Sequence, residues 1–154
     1  MSIDAKLKEL NIELPVAPAP AGNYVGGVQV GNLLFMSGCG PRLGDGTSIT
    51  GKVGKDLDED AAYDAARVVG LNMLAGIKAQ LGSLDRVRKV VKTLGMVNAV
   101  PEFTQHPKVI NGFSDLMADV FGDNGRGARS AVGMGSLPFQ IPVEVEMILE
   151  IDPE

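Results

Sequence analysis

Residues 127–151 read GARSAVGMGSLPFQIPVEVEMILEI, and the end of this stretch alternates between aliphatic and acidic side chains. One set is Val143, Val145, Met147, Leu149 and Ile151. The other set is Glu144, Glu146, Ile148 and Glu150. This period of two predicts a β-strand over 143–151 with one buried face. A second strand is expected at about 129–136, and the short link Leu137–Pro142 would make the two strands antiparallel neighbours in a hairpin.

The rest of the chain divides into short elements of both kinds. Residues 2–10 have helical spacing and precede the proline-rich arm PVAPAP (15–20), and GNYVGGVQVGNLLFMSG (22–38) is typical of two strands joined at 30–32. Asp58 is a candidate N-cap for a helix that ends at about Leu81, before Gly82. A second helix is expected from Pro107 to Val120, with Val109, Phe113, Leu116 and Val120 on its inner face.

The order ββαβαββ predicts one α+β domain over residues 1–154, with helices covering one face of the sheet. The strand at 86–99 is expected to bury Val87, Val91 and Val97. Four basic residues lie in this strand, and they are interpreted as the charged side chains of a solvated or edge strand: Arg86, Arg88, Lys89 and Lys92. The net charge of −5 disfavours a nucleic-acid partner.

Composition restricts the class of protein further. Cys39 is the only cysteine, which excludes an internal disulfide framework and a thiolate metal cluster and is typical of a reducing compartment. The first ten residues lack the apolar core of a signal peptide, and no run approaches the length of a membrane span. A cytoplasmic location is therefore expected. The glycine-rich segment 44–56 lacks the spacing of a phosphate-binding loop.

Several single residues admit a functional and an ordinary interpretation. His106 is the only histidine, and its place before Pro107 favours a surface or first-turn residue over a catalytic base. Cys39 is interpreted as a packing residue. Arg129 opens a strand of small residues, which would leave space for a bound carboxylate, and Glu144 lies on the polar face of the next strand. These two residues are either a solvated ion pair or a small polar site. The polar face is also a candidate subunit interface, because Ile148 interrupts it.

The chain resembles the Rid family of reactive imine deaminases, also called the YjgF or endoribonuclease L-PSP family. Its closing segment is similar to the family signature of Arg-Ser, a hydrophobic strand, Leu-Pro and Val-Glu-(Val/Ile)-Glu. Residues 22–38 resemble the family's opening strands, and VINGFSDLMADVFG (109–122) resembles its Val-Asn helix motif. The resemblance covers about residues 21–151.

This resemblance implies a chorismate-mutase-like α+β fold, a mixed sheet with two main helices on one face, and a homotrimer with sites in clefts between subunits. It implies hydrolysis of 2-imino and enamine acids such as 2-aminoacrylate to 2-keto acids and ammonia, without a metal or organic cofactor. Arg129 matches the arginine that holds the substrate carboxylate, and Glu144 matches the acid that activates water. Tyr24, Gly38 and Asn111 match residues that line the pocket.

Two features depart from the family pattern. Ala131 stands where many members have cysteine, and the N-terminal arm and the 42–54 loop differ from the shortest members. An alternative is therefore a non-catalytic module that binds small carboxylates in the same clefts. The endoribonuclease or translation-inhibitor activity in the family's older name is disfavoured by the acidic charge and the lack of a histidine-based site.

Overall fold

The computed structural model describes residues 1–153, which form three α-helices and a five-stranded sheet. In chain order the elements are α1 (Ile3–Glu9), β1 (Gly27–Val30), β2 (Leu33–Cys39), α2 (Glu59–Leu81), β3 (Val87–Asn98), α3 (His106–Phe121), β4 (Ala128–Met134) and β5 (Val143–Ile151). The α+β class and the order of elements predicted from the sequence are confirmed.

Helix α2 begins and ends at the residues that its capping signals predict. The Asp58 side chain accepts a hydrogen bond from the Ala61 N–H at 2.8 Å, which satisfies a free donor of the first turn. At the other end, Gly82 adopts a φ of 80° that favours glycine and donates its N–H to the Lys78 carbonyl. Between these caps, an apolar stripe that includes Val69, Met73 and Ile77 is fully buried.

Helix α3 lies beside α2 on the same face of the sheet. It starts at His106 with Pro107 in its first turn, where the missing N–H of proline costs nothing. All four residues predicted for its inner face are buried: Val109, Phe113, Leu116 and Val120. Among the described residues, no helix combines the length and apolar character needed to cross a membrane.

The strand order is β1-β2-β5-β3-β4, so the predicted hairpin of the last two strands is wrong. β5 lies antiparallel between β2 and β3, and β4 pairs in parallel with β3 on the far edge. The physical reason is that α3 carries the chain back across the sheet after β3, which makes the next strand parallel to it. β5 then gains hydrogen-bonding partners on both sides in the centre of the sheet.

Strand β3 differs from its predicted pattern at one position. Val91 is 37% exposed, whereas Val90 is buried, because the register with β5 shifts between Val90 and Lys92. β3 also lies inside the sheet, so the edge-strand interpretation of its basic residues is wrong. Arg88 and Lys89 are exposed, as the solvated interpretation requires, whereas Arg86 and Lys92 are partly buried.

The sheet has one covered face and one open face. The odd-numbered residues of β5 are buried under the helices, as the alternation predicts, while Glu144, Glu146, Ile148 and Glu150 point the other way. This open face carries apolar side chains that remain exposed, with Val28 at 50%, Phe35 at 41% and Val132 at 37%. This surface is the open sheet face.

Candidate active site

Glu144 lies near the start of β5, directly opposite Met96 of β3. On its other side it contacts β2 where Gly38 has no side chain, and a Cβ on Gly38 would lie 3.1 Å from Oε2 of Glu144. Partial burial is the main cause that raises the pKa of Glu144 above its ordinary value, and the charge of Glu146 raises it further. A carboxyl group of this kind exchanges protons closer to neutral pH than an ordinary glutamate does.

A cavity of about 470 Å³ opens beside this carboxylate. Tyr24, Gly38 and Glu144 all line it, so three of the five predicted site residues meet in one place. The proline-rich arm forms part of its wall through residues 17–21. The arm turns back at this point, where the Ala21 N–H donates a hydrogen bond to the Tyr24 hydroxyl at 3.2 Å.

Arg129 and Asn111 form a second group, on β4 and α3. Nη1 of Arg129 donates to Oδ1 of Asn111 at 2.8 Å and to Oγ of Ser114 at 3.2 Å, and Nη2 donates to the Pro107 carbonyl at 3.4 Å. In residues 1–153 no carboxylate lies within ion-pair distance of this guanidinium. Its partners are therefore neutral, and its positive charge is not compensated.

Arg129 and Glu144 lie on opposite faces of the sheet within one chain. Arg129 is paired with Thr93, which is itself paired with Met147, and paired residues share a face. Met147 faces the helices, so Arg129 does too, whereas Glu144 belongs to the open sheet face. A solvated ion pair between the two residues is excluded by this arrangement, and so is a site that two neighbouring strands of one chain would form.

A separate cavity of about 190 Å³ lies beside Arg129 and is also lined by Thr93, Ser114 and Gly127, whereas Gly133 of β4 serves packing. The His106 ring fills the space at Gly133, where a Cβ would lie 2.5 Å from Nε2. His106 also contacts Phe103 edge to face, with ring centroids 5.3 Å apart. This agrees with its interpretation as a first-turn residue.

Cys39 lines the same cavity as Glu144, but its thiol is poorly suited to act as a nucleophile. Burial, and then the negative charge of Glu144, raise the pKa of the Cys39 thiol to about 12. Since the thiolate is the reactive form, Cys39 is protonated and unreactive at neutral pH. The packing role predicted from the sequence is the one the structure supports.

Phe139 is a cavity residue that the sequence did not indicate. Its ring lines the cavity and is 81% exposed, and both Phe139 and Gln140 have a φ of 57°. Positive φ is strained for such side chains and is concentrated at functional sites. Neither the composition nor the spacing of 135–142 signals this geometry.

Asn98 fixes the loop that carries Phe139. It is fully buried, and its Nδ2 donates to the Gln140 side chain at 3.1 Å and to the Ile141 carbonyl at 3.2 Å. Nζ of Lys52 donates to Oδ1 of Asn98 and to the Gly135 carbonyl, both at 2.7 Å. The network holds the cavity wall in place although the backbone there is strained.

Comparison with known proteins agrees with this fold and site. Residues 4–150 match the family model described as "YjgF/chorismate_mutase-like, putative endoribonuclease". The chain is 44% identical to Protein TCP17 of Trypanosoma cruzi, over 97% of this chain and 94% of that protein. It is 30% identical to a 2-iminobutanoate/2-iminopropanoate deaminase of Dermatophagoides farinae, over 92% and 95% of the two chains.

A solved structure extends this similarity to three dimensions. The crystal structure of Atu1372 from Agrobacterium tumefaciens, described as a protein of unknown function, superposes with a TM-score of 0.90 at 48% identity. The match covers 97% of this chain and 92% of Atu1372. The chain therefore belongs to the YjgF family, also called the Rid or endoribonuclease L-PSP family, and has its chorismate-mutase-like fold.

Proposed function

We propose that this protein is a hydrolytic deaminase of reactive 2-imino and enamine acids, which it converts to 2-keto acids and ammonia. The observation that carries the proposal is the Glu144 carboxyl group, half-buried and with a raised pKa, beside a cavity that Tyr24 and Gly38 also line. A relative that is 30% identical to this chain bears the name of that activity.

Glu144 would act as the general base in this reaction. It accepts a proton from a water molecule, whose oxygen forms a bond to the carbon of the protonated imine as the C=N π bond breaks, which gives a neutral tetrahedral carbinolamine. Glu144 then passes this proton to the amine nitrogen. The C–N bond breaks as the hydroxyl oxygen forms the C=O bond of the 2-keto acid, and the hydroxyl proton returns to the Glu144 carboxylate as ammonia leaves. Imines hydrolyse readily in water, so the factor of about 10² to 10⁴ that a positioned base supplies is sufficient.

Arg129 would bind the substrate carboxylate. A guanidinium that is held by Asn111 and Ser114 keeps its charge and free N–H groups for a charge-assisted pair. Because Arg129 and Glu144 lie on opposite faces of one sheet, a complete site requires a second copy of the chain. The exposed apolar side chains of the open sheet face favour such an assembly, and we propose a homotrimer with its sites between subunits.

The test is the release of 2-keto acid from 2-aminoacrylate that a pyridoxal-phosphate dehydratase produces in situ. The wild type should exceed the spontaneous rate, and Glu144→Gln should lose about 10²-fold or more of that excess. Arg129→Ala should lose on the order of tenfold to a hundredfold, because a charged hydrogen-bonded pair contributes roughly 1.5 to 3 kcal/mol. Glu150→Gln is the matched control, since it removes a carboxylate from the same face of the same strand.

A wild-type rate equal to that of buffer would reject the deaminase. The melting temperature of each variant has to be measured as well, since Arg129 also ties β4 to α3. If 2-keto acids raised the melting temperature of the wild type without any turnover of imines, the protein would instead be a carboxylate-binding module.

A further inference from the structure

The cavity beside Glu144 is larger than the smallest imino acids require. A compound such as 2-iminopropanoate has roughly six non-hydrogen atoms and fills on the order of 150 Å³ at the density of liquid water. The cavity measures about 470 Å³, within the range of about 300 to 1,000 Å³ that is typical of sites for larger ligands. Most of its volume lies beyond what the reacting carbon and its carboxylate would occupy.

The extra volume is a groove between the proline-rich arm and α2. Residues 17–21 of the arm line it, and so do Met73, Gly76 and Ala79 of α2, which follow one another at helical spacing. Gly76 adds no side chain to the groove, and a Cβ there would lie 3.4 Å from the terminal methyl carbon of Met36. A glycine inside a helix lowers stability by up to about 1 kcal/mol relative to alanine, and Gly76 lies in the interior of the 23-residue helix α2.

The buried part of the groove is apolar in character. Met36 is 7% exposed and Met73 is 1% exposed. Asn72 is the buried polar residue of this wall, and its Nδ2 already donates to the carbonyls of Gly40 at 3.1 Å and Arg42 at 2.9 Å. Arg42, Ser48 and Gln80 line other parts of the cavity, so a hydrocarbon chain matches the part that Met36 and Met73 line.

We propose that this groove binds the side chain of the substrate and that the protein prefers 2-imino acids with long apolar side chains. The inference rests on the deaminase proposed above and specifies its substrate class. The imine carbon would lie beside Glu144 and Gly38, and the hydrocarbon tail would extend between the arm and α2. Each methylene group that enters the groove should tighten binding about fourfold, the factor that corresponds to about 0.8 kcal/mol.

The experiment measures binding of stable 2-keto acids by calorimetry, which does not depend on turnover. We expect 2-oxo-octanoate to bind the wild type at least tenfold more tightly than pyruvate. Gly76→Leu fills the groove and should reduce this ratio about tenfold, and Gly76→Ala should reduce it less. Asp64→Leu, an exposed position of α2 outside the cavity, is the matched control and should retain the wild-type ratio.

Three results would overturn the inference: equal affinity of the wild type for both acids, an unchanged ratio in Gly76→Leu, or tightest binding of the dicarboxylate 2-oxoglutarate. The 2-aminoacrylate assay is run in parallel. Turnover of 2-aminoacrylate without chain-length preference would reject the role of the groove and keep the deaminase. Chain-length preference in binding without turnover would reject the deaminase and keep the groove as a binding site.

Discussion

Two features of its surroundings disfavour the charged form of Glu144. Partial burial disfavours its charged form, as does the charge of Glu146 on the same face of β5, two residues along the strand. The folded state therefore binds a proton to Glu144 more tightly than the unfolded chain does, and ionisation at neutral pH reduces stability. Carboxyl groups with a raised pKa are concentrated at functional sites, because acid and base catalysis needs a pKa matched to the reaction.

The raised pKa of Glu144 predicts the acid limb of the activity profile. The base must be a carboxylate, so activity should fall as the pH drops through a value above that of an ordinary glutamate. Glu146→Gln removes the negative charge that contributes to the shift, so the limb should move to lower pH. The measurement is the enzymatic rate, corrected for spontaneous hydrolysis, over a pH series. Glu150→Gln should leave the limb in place, and an unmoved limb in Glu146→Gln would contradict the assignment.

At the scale of elements, the close approach of α2 and α3 depends on one glycine. A Cβ at Gly112 of α3 would overlap the carbonyl oxygen of Tyr63 in α2. Backbone atoms of a packed helix cannot move aside as a flexible side chain can. The two helices form the layer that buries the inner face of the sheet, so their separation also sets the position of Asn111 and Arg129.

Gly112→Ala should therefore lower the free energy of unfolding by about 1 to 3 kcal/mol, the usual cost of overpacking. Gly76→Ala is the matched control, another helical glycine, whose added methyl group would meet the movable end of Met36. That change should be neutral or stabilising by up to about 1 kcal/mol, because alanine favours a helix. Denaturant unfolding of the two variants checks this, and equal stability of both would be the contrary result.

The elements of this fold follow from local signals, but their pairing does not. Asp58, Gly82 and Pro107 mark helix boundaries through their own backbone and capping chemistry, so the helices were predictable within a residue or two. The alternation of side chains along a strand indicates which face is buried, but it does not indicate which strands pair with each other. The position of β4 beside β3 depends on the crossover through α3, and the bulge at Val91 depends on the register with β5.

The same distinction applies to the candidate site. The residue types of Arg129 and Glu144 indicated a carboxylate-binding site with a base, yet the register of three strands places them on opposite faces. The strained Phe139 had no signal at all, because positive φ in a non-glycine residue results from the surrounding network of Asn98. The residues were identifiable, and their geometry was not.

At the scale of the whole molecule, the proposed division of the site between two chains makes a sharp prediction. Arg129→Ala and Glu144→Gln should each retain about a tenth of the wild-type activity or less, but unfolding and refolding them together should restore activity. In random trimers, about one quarter of the clefts would combine an intact arginine with an intact glutamate. The mixture should then reach roughly a quarter of the wild-type rate. Separately refolded samples that are combined afterwards are the control, and no recovery in the co-refolded mixture would reject the shared site.

The central place of β5 has a further consequence for how the chain acquires its structure. Within residues 1–153, the pair β1–β2 and the pair β3–β4 have no strand contact with each other except through β5, which is the last of these five strands to leave the ribosome. Its partner residues in β2 are more than a hundred positions earlier, as in the pairing of Leu33 with Glu150. Such distant contacts are slow to form. Until residues 143–151 emerge, the two pairs of strands cannot join into one sheet, and the edges that β5 covers in the folded protein stay unpaired.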